Sequence, residues 1–395
     1  MSKDSSRRTQ PGDKPVSKGA SGGGKPAAAK QTSPPDMVRV ALIGLVIMLV
    51  LGHIGTYAVF QAKLRRAETS TSLATRAPAA SSDTRALGDY RIVNAHEHLF
   101  SGKYLDKYFE ACANTGVVQT LFVASSDYTL KGSAGKPTEG NVENSQEMLR
   151  VAREFPDAVV PFVTMHPNDE DKVKRLREYV EQGAKGLKLY TGHGNFWDRP
   201  LDADEMLDVY AYCEQTDLPI CWHVNLLRYP DEFSRVMMRF PKLKVIVPHF
   251  GVTFYRCTGK PWQLLQDLLD AYPGLYTDTS FGTRDILVAG LEMVSAYPEI
   301  FRAFFEKYQD RILWGTDMVV TGNREKTQPW VESVLLACRN VLEKDRYTFW
   351  MAARGSGYAL ERSENTYGEL RGLALPDAIL RKIYETNFAR FMETE

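Results

Sequence analysis

The sequence predicts an α/β protein, a (β/α)8 TIM barrel with helical insertions over residues 89–395, carried behind a disordered basic tail and one transmembrane helix. Three observations predict it. From residue 89 onward, eight short apolar runs alternate with longer amphipathic segments, the signature of β/α units on a parallel sheet. Metal-competent side chains (His96, His98, His223, His249 and Asp317) stand at or near the ends of those runs, where a parallel barrel gathers its functional groups. Before residue 89 the composition changes abruptly.

Residues 1–36 are rich in Ser, Gly, Pro, Lys and Ala and almost free of large apolar residues. Such a segment cannot bury enough surface to offset its chain entropy and is expected to be disordered. Residues 37–60 are expected to form a transmembrane helix, because Val40 to Phe60 runs 21 residues without a formal charge. A cleaved signal peptide fits less well, since the basic region before the stretch is too long and the apolar core exceeds the usual h-region. Eight Lys/Arg before the uncharged stretch, in residues 1–39, favour keeping the tail in the cytoplasm, while "KLRR" at 63–66 pulls the other way. The balance points to a single-pass membrane protein with its barrel outside the cytoplasm. Residues 61–88 return to a Ser/Thr/Ala-rich character and read as a linker.

The eight candidate strands are 91–97, 118–124, 159–165, 185–190, 218–224, 244–249, 274–279 and 312–316. Amphipathic helices are expected between them, for example at 168–181, 202–215 and 261–271. An open doubly wound sheet is disfavoured because no glycine-rich phosphate fingerprint follows the first strand. The stretches 285–308 and 343–375 exceed normal connections and are expected to be helical insertions that cover the site.

The 395 residues have a formal net charge of zero, but residues 1–90 carry 13 Lys/Arg against 6 Asp/Glu, leaving 36 against 43 in the remainder. An acidic globule is a poor nucleic-acid partner, whereas a basic tail suits anionic lipid headgroups. Five scattered cysteines (Cys112, Cys213, Cys221, Cys257, Cys338) contain no CxxC spacing, so neither a zinc ribbon nor a disulfide framework is expected.

In "RIVNAHEHLF", His96 and His98 stand at i and i+2, which a strand points to one face, so both imidazoles can grip one cation. Glu97 points away from the pair. No second His follows at the spacing of a helical HExxH site. His223 in "LPICWHVN" supplies a third imidazole. Asp317 in "RILWGTDM" can bind the ion and accept a proton from water, with a helix N-cap as the competing role. His249 in "VIVPHFG" either binds a second ion, polarises the substrate or shuttles a proton. Lys188 in "GLKLY" is either a carbamylated ligand bridging two ions or a plain cation pairing with a carboxylate. His166, His193, Arg228 and Asp278 also fall at strand ends, where loop or supporting roles are the ordinary expectation.

These strings resemble the amidohydrolase superfamily, and more closely its amidohydrolase-related (amidohydrolase 2) branch of metal-dependent hydrolases and decarboxylases. "VNAHEHL", "EACANTGVVQTLFV", "VIVPHFG", "RILWGTDM" and "IYETNFARFM" carry the resemblance over residues 89–395. It implies metal ligation by His96, His98, His223 and Asp317, a catalytic or second-metal role for His249, and a carbamylated-lysine position at Lys188. Asn94 stands where many members have Asp, and the membrane anchor is not a family feature.

The expected function is therefore a metal-dependent hydrolase, holding one or two divalent ions (zinc above all), that uses a metal-activated water on an amide, lactone or ester-like bond. Its partner is a small-molecule substrate, with no nucleic acid. A metal-dependent nonoxidative decarboxylase is the rival chemistry, and a non-catalytic membrane-tethered binding barrel the rival class. Substrate and oligomeric state have no readable signature.

Overall fold

The computed structural model describes residues 88–393 except 100, 128–135, 137–138, 195, 197–198, 283 and 353–367. The expected tail 1–36, transmembrane helix 37–60 and all but the last residue of the linker 61–88 lie outside the described residues. Among the described residues, no helix is long and apolar enough to cross a membrane.

Eight parallel strands form one sheet in sequence order: β1 (Ile92–Leu99), β2 (Val117–Ala124), β3 (Val159–Thr164), β4 (Gly186–Gly192), β5 (Ile220–Val224), β6 (Val245–Val247), β7 (Leu275–Asp278) and β8 (Ile312–Leu313). Their near-continuous burial is what a sheet covered on both faces imposes. The seam between β8 and β1 is joined by three backbone contacts rather than by a regular ladder. Ala95 N–H donates to Trp314 O at 2.8 Å, and Thr316 N–H and Asp317 N–H both point at His96 O, at 3.3 and 2.9 Å. The expected eighth strand, 312–316, is therefore shorter as a strand, because its end turns to meet β1 individually.

Helices α1 (Leu105–Thr115), α2 (Asn141–Glu154), α3 (Lys172–Glu181), α4 (Asp204–Gln215), α5 (Pro230–Arg239) and α6 (Lys260–Ala271) follow the first six strands. In α1, Leu105, Tyr108, Ala111, Cys112 and Thr115 are buried at helical spacing. It ends at Gly116, whose φ of 79° is the left-handed cap that glycine adopts without strain. The freed Gly116 carbonyl then accepts Ile92 N–H at 2.9 Å, tying the helix end to the strand that bears the histidine pair. Tyr108 continues the tie, its hydroxyl meeting Asn94 Nδ2 and Thr120 Oγ1, both at 2.9 Å.

The stretch 285–308 is helical as expected, forming α7 (Arg284–Ala296) and α8 (Pro298–Lys307). Of the stretch 343–375, expected as a helical insertion, residues 353–367 lie outside the described residues. After α9 (Gln328–Glu343), β9 (Arg346–Thr348) pairs antiparallel with β10 (Glu369–Arg371), so the described flanks of that stretch form a ribbon. The chain closes with α10 (Asp377–Arg381), a π turn over Lys382–Thr386 and α11 (Asn387–Met392).

Two apolar layers result. The larger lies between strands and helices. The smaller fills the barrel interior, where Val93, Ala95, Val123, Phe162, Ile246 and Leu313 meet Phe388 and Phe391 of α11. That helix stoppers the N-terminal end of the barrel and leaves the C-terminal mouth for polar groups.

Candidate metal centre

The inner face of β1 changes character along its length. Its pairing with β2 is irregular between Asn94 and Glu97, and past that point the buried pair His96 and His98 looks into the mouth while Glu97 faces outward. Each imidazole is fixed through Nδ1. His96 Nδ1 lies 2.9 Å from Asp278 Oδ2, which as a carboxylate must accept. His98 Nδ1 sits 2.9 Å from Ser125 Oγ and 3.3 Å from the Tyr190 hydroxyl. Because Tyr190 donates its own proton to Ala124 O at 2.9 Å, its oxygen accepts from the ring. His249 Nδ1 lies 3.0 Å from the Ser280 carbonyl, again an obligate acceptor. All three rings therefore carry hydrogen on Nδ1 and turn the Nε2 lone pair inward, the tautomer of a metal ligand, with that of His96 also in reach of Lys188 Nζ at 3.2 Å.

Asp317 enters the same space from the far side of the seam. Its Oδ1 is 3.1 Å from His98 Nε2 and 4.0 Å from His96 Nε2, and its Oδ2 is 3.4 Å from His249 Nε2. Oδ1 is buried and accepts no hydrogen bond of proper direction. One donor atom from each of His96, His249 and Asp317 falls within 4.8 Å of the others. Acceptors converging on one another with no proton between them repel, and a cation is what relieves such an arrangement. The donor set, imidazole nitrogen with carboxylate oxygen, fits a divalent ion of the zinc class.

Burial pushes the imidazoles of His96, His98, His223 and His249 below their usual titration range, so they are neutral at pH 7. Burial works to raise the Asp317 carboxyl, but the surrounding rings of His96, His98 and His249 hold it well below the usual range. Asp278, also raised by burial, is brought down to about 2 by His96.

Lys188 is fully buried on β4, with Nζ 3.2 Å from His96 Nε2 and 3.6 Å from Cys221 Sγ. Among the described residues, no carboxylate lies within ion-pair distance of it. His223 flanks the trio. Its half-buried ring is centred 4.9 Å from His249 and 4.5 Å from His193. His193 sits above it on the β4 exit, lowered by burial to about 4 and edge-on to Phe196. His166 closes its own loop, its backbone N–H donating to Asp169 and its Nδ1 accepting Asn168 N–H. Arg228 is exposed beside Gly194. Asp317 is not a helix cap: α9 begins eleven residues later, capped by Thr327.

One backbone feature was invisible in the sequence. His249 and Asp317 adopt φ of 58° and 50°, and Val319 follows at 58°. Non-glycine residues pay for this left-handed geometry with strain that only surrounding structure can maintain. Glu97, read only as pointing away, is completely buried and saturated. Its Oε1 accepts His98 N–H (2.8 Å) and Val319 N–H (2.7 Å), and its Oε2 accepts Thr316 Oγ1–H (2.9 Å) and Met318 N–H (3.1 Å). Burial followed by the Asp317 charge raises its carboxyl to about 7. The one available signal was a carboxylate inside an apolar strand, which demands partners.

A family model described as amidohydrolase matches residues 137–392. No curated protein matches the sequence. Among solved structures, a probable 2-pyrone-4,6-dicarboxylic acid hydrolase from Acinetobacter baumannii is similar at 12% identity and a TM-score of 0.51, over 76% of this chain and 99% of that one. A 4-oxalomesaconate hydratase from Rhodopseudomonas palustris aligns at 14% identity and a TM-score of 0.47, over 76% of this chain and 95% of that one. A 2,6-dihydroxybenzoate decarboxylase from Rhizobium aligns at 14% identity and a TM-score of 0.45, over 77% of this chain and 98% of that one. The first of these shares the barrel fold. The three names span hydrolase, hydratase and decarboxylase.

Proposed function

The chain belongs to the amidohydrolase family, and from that premise we propose that it is a metal-dependent hydrolase directing water onto an amide, lactone or ester-like bond of a small molecule. The observation that carries this reading is the cluster of inward Nε2 lone pairs around an Asp317 oxygen that accepts no hydrogen bond. His96 and Asp317 from that cluster, with His98 beside Asp317 Oδ1, would hold a divalent ion, zinc by its donor set, and His223, which the resemblance adds as a ligand, flanks them at His249; such an ion supplies Lewis acidity and lowers the pKa of water.

The remaining chemistry is assigned to the chain's own groups. Asp317, ionised at neutral pH, accepts the proton from the attacking water. His249 Nε2, 3.4 Å from Asp317 Oδ2 and without hydrogen, receives that proton and passes it to the leaving group. Its tautomer, fixed by the Ser280 carbonyl, supports this acceptor role over direct donation to a substrate oxygen. Asp278 holds the His96 ring in register. Lys188 joins the ligands when its amine carries CO₂, and otherwise faces a substrate carboxylate. Intact-mass measurement of the peptide separates these states. The uncharged stretch Val40–Phe60 behind a basic tail supports a single-pass anchor with the barrel outside the cytoplasm.

The test is turnover of a panel of amides, lactones and carboxylated aromatics in ¹⁸O-labelled water. One labelled oxygen in the product is the expected result. Release of CO₂ without label would make the enzyme a nonoxidative decarboxylase. Metal-loaded protein that binds compounds without converting any would make it a binding barrel.

A further inference from the structure

The turn that presents Asp317 is gripped from both sides by charged groups that face away from the proposed ion. Below it, the Glu97 carboxylate accepts the N–H groups of Met318 and Val319 and the Thr316 hydroxyl. Above it, Lys326 Nζ donates to the carbonyls of Met318 (2.7 Å) and Val319 (2.5 Å). Lys107 then steadies the Lys326 segment, its Nζ donating to Thr321 O and Lys326 O, both at 2.6 Å. The gripped backbone is the one with left-handed φ at Asp317 and Val319, neither of them glycine. It also lies at the one strand boundary without a regular ladder. A strained turn with few backbone pairings relaxes unless other groups hold it.

From this geometry we propose that Glu97 and Lys326 are positioning residues, a two-sided clamp that holds the 317–319 turn so that the Asp317 carboxylate faces the ion. Strand alternation makes the arrangement economical, because β1 sends His96 and His98 inward and Glu97 outward to the turn that completes the same site. All four acceptor positions of Glu97 are filled by donors, two to each oxygen, so its amide isostere must turn an NH₂ toward two of them. Lys326 needs only two donors in reach of adjacent carbonyls, which a guanidinium also offers.

The inference rests on the metal-site reading, and the experiment separates the two. Zn²⁺ affinity is measured by competition with a chromogenic chelator on the whole protein for wild type, E97Q, K326M and K326R, alongside thermal melts of the metal-free forms. E97Q and K326M are expected to bind Zn²⁺ about 10- to 100-fold more weakly, the range found for supporting groups around metal ligands. K326M should still melt cooperatively without metal, and K326R should recover most of the affinity. If E97Q fails to fold, the K326M and K326R pair decides by the same readout. Wild-type affinity in E97Q and K326M would overturn the clamp alone. A wild type that binds no Zn²⁺, Co²⁺ or Mn²⁺ would overturn both readings.

Discussion

The two ends of this barrel are built from the same strands and are organised by opposite rules. At the N-terminal end, Val93, Ala95, Phe162, Ile246 and Leu313 are closed over by Phe388 and Phe391 in one apolar cluster. At the C-terminal mouth, a few residues further along the same strands, His96, His98, Lys188, His249, Asp278 and Asp317 are all buried together. Left-handed backbone at non-glycine positions gathers at this end, at His249, Phe250, Val252, Asp317 and Val319. The stoppered end contributes stability by burying apolar surface. The mouth costs stability, through buried acceptors and strained turns, in exchange for a place where a cation and a substrate can bind.

Substitutions at the two ends should therefore separate activity from stability. The largest effect on activity is expected at the mouth: D317N should lower kcat/KM by about 10²- to 10⁴-fold, the usual worth of a general base. Its metal-free melting temperature should fall only modestly, since asparagine tolerates the left-handed backbone while losing the stabilisation that the depressed carboxyl records. A D317N protein that unfolds early would blur the contrast between the ends. The converse experiment is F391A in the stopper, expected to cost about 3–5 kcal/mol in urea unfolding. Below its melting temperature, KM and kcat should match wild type, and a large drop in kcat would show that the ends are coupled.

A pH series sharpens the comparison further. The mouth histidines titrate lower when folded than their ordinary 6.5. Below that ordinary value the unfolded chain takes up protons that the folded chain refuses, so the metal-free protein loses stability as pH falls from about 6.5. Asp278 and Asp317, with depressed carboxyls, add to the same trend at lower pH. Melts of metal-free protein between pH 8 and 5 should show this slope, and H249A should flatten it. The smallest effect is expected at Thr327, whose hydroxyl accepts Trp330 N–H at the start of α9. T327A should cost about 1 kcal/mol of stability and leave turnover unchanged.

Much of this contrast was legible in the sequence, because apolar runs and strand ends are local signals. All eight strands appear within a few residues of their expected places, and the i, i+2 rule put His96 and His98 on one face with Glu97 on the other. The expected helices over 285–308 are there as well. What failed was non-local. The β9–β10 ribbon was not foreseen because each strand has only three residues, too short for a periodic signal, and they pair across more than twenty positions. Glu97 was correctly placed facing away and left without a task, because its partners in 316–319 are some 220 positions distant. The strain at His249 and Asp317 has no sequence signature, since "GTDM" puts no glycine where φ turns positive and in "PHFG" the positive run starts at His249, two residues before Gly251. The short eighth strand has the same origin, its last residues being drawn to His96 O across the seam.

The most direct test of the central claim is the metal-to-protein ratio of purified wild type and of the H96A/H98A double variant, measured by elemental analysis. A convergent site predicts at least one divalent ion per wild-type chain, and loss of that ion from a double variant that still melts cooperatively. Full metal occupancy after both imidazoles are removed, or active wild-type protein carrying no metal at all, would contradict it.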